Sequence, residues 1–154
     1  MAFTAAYWAL DKFKPKTMAF LGCDMIYSNK NNHFYGTGTA DPLRKDLTLR
    51  SLEAKSARFE VYARMQGCIP LNLSNLKNSR LVYERVKLEE ISKKTVQDTR
   101  KFDHIKIKIA KEKEADLGYF IENGKYWKHF HMFDEKEIDI LDNLWLSSII
   151  NNTA

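Results

Sequence analysis

The chain has 154 residues, of which 44% are hydrophobic, 29% charged and only 6 and 3 are glycine and proline. That is the composition and length of one globular domain, and it excludes disordered, fibrous and low-complexity classes. The net charge of +5, from 25 basic and 20 acidic residues, is spread along the chain with Asp and Glu interleaved; this reads as a solvated basic surface rather than the concentrated face of a nucleic-acid binder, while leaving room for a local anionic ligand such as a nucleotide phosphate.

Residues 2–14 carry Tyr7 and Leu10, with Phe3 and Lys14, on one side at helical spacing, and Pro15 ends the helix. Residues 17–22 form a short apolar run that reads as a buried strand, extended by 25–27 past Cys23 and Asp24. Residues 28–41 are polar and contain glycine, which predicts a loop. Asp41-Pro42 is a suitable helix start, and the spacing of Leu49, Leu52, Phe59, Tyr62 and Met65 predicts a helix over 42–66 stopped by Gly67. Residues 68–73 read as the next strand, with Pro70 awkward inside it. Helix, strand, loop, helix, strand predicts a small Rossmann-like three-layer α/β fold with mainly parallel strands. Further on, 86–94 and 97–117 read as helices. Asn123-Gly124 between aromatic runs predicts a β-hairpin over 118–128, and Asp134 caps a final helix bearing Ile138, Leu141, Leu144, Trp145 and Ile149. The expected organisation is a single domain over 1–154, a half-domain over 1–95 with 96–154 packed on it.

In doubly wound sheets ligands bind at the carboxyl ends of the strands, so function is expected in 23–44 and 72–82. Asp24, Tyr27, His33, Tyr35, Gly36 and Gly38 follow the first strand. Histidine suits general-base work near neutral pH, tyrosine hydroxyls can donate to a departing phosphate, and glycines let backbone approach a ligand. The helix start at Pro42, with Arg44, offers an anion site. The same residues also suit an ordered loop closed by its own aromatics. Gly36-Thr37-Gly38 lacks the third glycine of a dinucleotide fingerprint. Asn72, Ser74, Asn78, Ser79 and Arg80 follow the second strand; they can contact a nucleotide or simply make Asx and Ser turns. Ser28, Ser74 and Ser79 sit in no nucleophile elbow. His129 and His131 alternate on an expected extended segment without a third metal ligand nearby. His104 reads as solvated, and Trp8, Trp127 and Trp145 as core anchors. Cys23 and Cys68 lie in apolar runs, too few for a disulfide framework and wrongly spaced for zinc. No apolar run approaches the roughly 18 residues of a membrane span and no signal peptide is evident, so a reduced, cytoplasmic protein is expected.

The stretches AAYWALDKFKPKTMAFLGCDMIY, HFYG and SLEAKSARFEVYARMQGCIPLNLSNLKNSRL resemble the C-terminal half of the bacterial sialyltransferases of glycosyltransferase family 42 and of flagellin-modifying glycosyltransferases of the motility-accessory-factor type. The resemblance covers about residues 5 to 90. It implies a CMP-sugar donor and a metal-independent inverting transfer, with no cofactor. His33 matches the base, although closer to the long helix than in the family. Tyr27 and Tyr35 match the tyrosines that stabilise the leaving phosphate, and Asn72 and Ser74 the turn that contacts base and ribose. The family's N-terminal half has no counterpart here, which would leave an exposed sheet edge. A partner half, a homo-oligomer or a cover from 118–150 is therefore expected. The alternative is a non-catalytic α/β binding or assembly module.

Overall fold

The computed structural model of the chain describes residues 2–26, 47, 50–91 and 100–150. The architecture is mixed α/β. Helix α1 (Ala2–Phe13) buries Ala6 and Leu10 and ends at Lys14, whose left-handed backbone (φ 45°) closes the last turn before Pro15. Strand β1 (Thr17–Phe20) follows. Helix α2 (Leu52–Met65) begins at the Ser51 cap, whose side chain accepts from the Ala54 N–H at 3.1 Å. The expected helix over 42–66 is thus shortened, because capping requires a non-helical Ser51 (φ −126°); Asp41-Pro42 lies outside the described residues. Gly67 ends α2 as expected. At φ +75° it lets Cys68 N–H reach Ala63 O and its own N–H reach Arg64 O, both at 2.9 Å, the Schellman pattern.

Strand β2 (Ile69–Asn72) lies between β1 and β3 (Glu84–Arg85), and all three run parallel. The register pairs Thr17 with Ile69 and Phe20 with Asn72. Pro70 is tolerated in this central strand for a reason visible in the ladder. Ile69 N–H donates to Lys16 O and Leu73 N–H to Phe20 O, so odd positions face β1 and Pro70 faces the other side. There pairing with β3 starts only at Leu71, and no proline N–H is needed.

The expected helices over 86–94 and 97–117 both start later than expected. α3 is Leu88–Ile91, and residues 92–99 lie outside the described ones. α4 (His104–Leu117) starts at the Asp103 cap, after strand β4 (Lys101–Phe102), and stops at left-handed Gly118. Helix α5 (Glu135–Ser147) starts at the expected Asp134 cap and leads into β5 (Ile149–Ile150). The expected hairpin over 118–128 does not form. Asn123-Gly124 makes a turn, but Asn123 Oδ1 accepts from Lys125 N–H and the chain continues into two short 3-10 turns, Tyr126–Lys128 and Phe130–Met132. The antiparallel pair is instead β4 with β5, Phe102 opposite Ile149. A hairpin needs an apolar face to bury, and Phe120 and Trp127 are 80% and 53% exposed.

Two cores share α2. Phe59 and Ala63 pack with Ala6, Leu10, Phe20 and Tyr83 on one side. Ala57 and Val61 pack with Ile107, Ala110, Trp145 and Ile149 on the other. Met65, placed by its spacing on the apolar side, is exposed, as is Trp8; of the three tryptophans only Trp145 is a core anchor. No helix among the described residues is long and apolar enough to cross a membrane.

Between the cores lies a fully buried carboxylate, Glu60. It accepts from Arg64 Nε at 3.1 Å and from Arg100 Nε and Nη2, both at 3.1 Å. Arg100 also donates to Val82 O, while Ser56 Oγ accepts from Val82 N–H at 3.0 Å. Val82 lies just outside the sheet, so side chains satisfy its backbone.

Replacing Glu60 by Gln should cost on the order of 3–5 kcal/mol, since it leaves buried guanidinium charge uncompensated; chemical denaturation measures this. Tyr83→Phe should behave oppositely. The Tyr83 hydroxyl is buried with no hydrogen-bond partner among the described residues, so its removal should leave the unfolding midpoint unchanged or raise stability by about 1 kcal/mol.

Candidate functional site

The parallel pairing of β1 and β2 brings their carboxyl ends together. After β1, Gly22 (φ 70°) and Met25 (φ 56°) bend the chain sharply on either side of Cys23-Asp24. A left-handed methionine is an uncommon, strained choice. Asp24 O accepts from Arg80 N–H at 3.0 Å, which ties this bend to the segment after β2. Asp24 Oδ1 is buried and has no hydrogen-bond partner among the described residues.

Next to it, Asn72 is 1% exposed. Its Nδ2 donates to Ser79 Oγ at 3.1 Å, and its Oδ1 accepts from Ser74 N–H at 2.9 Å. Ser74 Oγ accepts from Leu76 N–H at 3.0 Å. These are the Asx and Ser turns that such residues favour. Arg80 grips Glu53 with Nε and Nη2 at 2.6 and 2.7 Å, and that bonding holds the Glu53 carboxyl below its ordinary value. Asp24, Asn72 and Ser74 therefore meet at one edge. Tyr27, His33, Tyr35, Gly36, Gly38 and Arg44 lie outside the described residues.

A concave region lies among the helices. It is a cleft of about 740 Å³ bounded by α1, α2, α4, α5 and the 118–133 segment, in the size range of small-molecule sites. Its floor is Arg58. Nε and Nη2 bind both oxygens of Glu114 at 2.6 and 3.0 Å, and Nη1 donates to Tyr7 Oη at 2.6 Å. Trp145 Nε1 donates to Glu114 Oε1 at 2.9 Å, and the guanidinium lies 4.6 Å from the Tyr62 ring centroid. Burial works against the Arg58 charge, but bonding to Glu114 and the surrounding charges outweigh it and raise its proton affinity. Burial raises the Tyr7 hydroxyl as well, against the effect of Arg58.

Nothing in the sequence marks this cleft. Arg58 stands among Lys55, Ser56 and Glu60 on a mixed helix, and its partner Glu114 is 56 positions away. His129 and His131, expected on an extended segment, lie between and within the two 3-10 turns, respectively, with ring centroids 6.3 Å apart. Among the described residues there is no cluster of three His, Cys, Asp or Glu placed to hold a metal.

Asp142, on α5, also lines the cleft. Burial pushes its carboxyl up to about 6, against the lowering effect of Lys55. A folded value above the unfolded one means that the native state holds the extra proton between about pH 4 and 6, and that stability falls as the pH rises through this window. Asp142→Asn should therefore raise stability at pH 7.5, on the order of 1 kcal/mol once solvent screening of this half-exposed group is allowed for. The gain should vanish at pH 4, as thermal melts at the two pH values will show.

Comparison with protein-family models, with curated proteins and with solved structures finds no match to this chain.

Proposed function

We propose that the chain takes a nucleotide or nucleotide sugar at the carboxyl edge of β1 and β2, in a Rossmann-like arrangement, and acts as a glycosyltransferase of the sialyltransferase-like kind. The observation that carries this reading is Asp24. A carboxylate oxygen held out of water without a partner among the described residues calls for a hydrogen-bond donor, and a ribose or sugar hydroxyl is one. The neighbouring Asn72 turn supports the reading from inside. Its amide oxygen and nitrogen are each anchored within the chain, so Asn72 shapes the edge and Ser74 borders the ligand. His33 is the base for the acceptor hydroxyl, and Tyr27 and Tyr35 donate to the departing phosphate. Gly36, Gly38 and Arg44 complete the phosphate side.

A second reading is a non-catalytic module that self-assembles. It is favoured by Trp8 and Phe13, 61% and 65% exposed on α1 and in edge-to-face contact at 5.5 Å. Sedimentation distinguishes it: a concentration-dependent oligomer that Trp8→Ser dissolves supports it, and a monomer throughout removes it.

The donor-site reading is tested by thermal melts with CMP, other nucleotides and CMP-sialic acid. A ligand that binds only the folded state at 100 times its dissociation constant adds about 2.7 kcal/mol. The melting temperature should rise, and Asp24→Asn should diminish the rise because it puts an amide where the acceptor oxygen stood. His33→Ala should keep the rise while abolishing sugar transfer. No shift with any nucleotide would remove the donor site, and full transfer by His33→Ala would remove the base.

A further inference from the structure

We infer that the helical cleft is a second ligand site, separate from the strand-end edge, and that it takes a small aromatic or amphipathic amine whose ammonium group pairs with Asp142. The two sites share no lining residue among Asp24, Asn72 and Ser74.

Most polar groups of the cleft floor already pair with one another. Arg58 and Glu114 satisfy one another through two hydrogen bonds, and Tyr7 and Trp145 occupy further positions on the same pair. That floor is electrically neutral and closed. Asp142 is different: among the described residues no hydrogen bond or ion pair within contact distance reaches its carboxyl. It lies one turn before Trp145 on α5, so it opens to the same side of the helix. Apart from Lys55, the rest of the wall is apolar and aromatic, including Tyr119 and Phe133 in edge-to-face contact at 4.9 Å.

A half-buried carboxyl without a donor beside aromatic rings favours a cation with an apolar body. The ammonium supplies the missing hydrogen bonds to Asp142, the rings attract it through their negative faces, and the body fills the apolar volume. An anionic ligand would instead meet the Asp142 charge, offset in part by Lys55. The groups that face Asp142 are Lys55 on α2, Arg50 just before α2, and Asp139 on its own helix. Arg50 is held by Asp139 and Glu135 at 2.6 and 2.9 Å. The ammonium must therefore act against Lys55, which favours a ligand that brings its own apolar contacts over a bare ammonium ion. Because Asp142 takes up a proton near pH 6, proton and amine compete for the same carboxyl, and amine affinity falls as the pH is lowered through that region.

The experiment is a calorimetric titration of the full chain with tryptamine at pH 7.5, with indole-3-propionate as the anion of similar shape and 3-methylindole as the uncharged body. Tryptamine should bind saturably and more tightly than either of the others. Asp142→Asn, which keeps the shape and is expected to be the more stable protein, should weaken tryptamine by about tenfold or more and leave 3-methylindole unchanged. In the wild-type chain the tryptamine dissociation constant should rise by a similar factor between pH 7.5 and 5, with the amine itself charged throughout. No saturable tryptamine binding up to about 1 mM, equal binding of indole-3-propionate, or a dissociation constant unaffected by both Asp142→Asn and pH would each overturn the inference. None of these outcomes depends on nucleotide binding at the strand ends.

Discussion

The structure depends on one buried carboxylate. Glu60 has no solvent exposure, and a lone charge there would be prohibitively costly. It is tolerated because Arg64, one turn along α2, and Arg100, at the entry to β4, close on it from two directions. The consequence is architectural. Arg100 reaches on to Val82 O, so one acid holds α2, the approach to β3 and the start of β4 in a fixed relation. An apolar residue could fill the same space, but it would not specify which segments meet there.

That fixed relation explains how α2 can serve two cores. Its sequence is poor in large apolar residues on the side that faces α4 and α5. Ala57 and Val61 allow those helices close approach, and Trp145 fills the space between them. On the other side Phe59 contacts Tyr7, Phe20 and Tyr83 rings at 5.0, 5.6 and 6.0 Å. A helix buried on both sides has no single apolar stripe. This is why the spacing of Leu52, Phe59, Tyr62 and Met65 located the helix but misplaced Met65. The strand-end edge and the cleft both hang from α2 as well. Glu53 anchors Arg80 beside the strand ends, and Arg58 forms the floor of the cleft. A change in how α2 sits would alter both regions together.

Legibility of the two regions differed for a physical reason. Asp24, Asn72 and Ser74 were visible because they follow apolar runs in sequence, and parallel strands bring their own ends together by geometry alone. The cleft was not visible, because Tyr7, Arg58, Glu114, Asp142 and Trp145 come from four helices and meet only through packing. The hairpin signal at Asn123-Gly124 misled in the opposite direction. The turn formed, but turn chemistry is local and strand pairing is not: the aromatic residues on either side had no sheet to join.

The sequence by itself determined the local punctuation. Pro15, the Asp134 cap and Gly67 act through the backbone of their own neighbours, and their positions hold in the structure. It also determined the mixed α/β class, because β1 and β2 are short apolar runs set off by turn residues from the helices. Tertiary structure alone decided which helix would be doubly buried, that Pro70 could sit in a central strand, and that β4 would pair with β5 across the chain. These outcomes rest on contacts between residues far apart in sequence. Such contacts leave no periodic trace, because each partner sees the other only after the chain has folded.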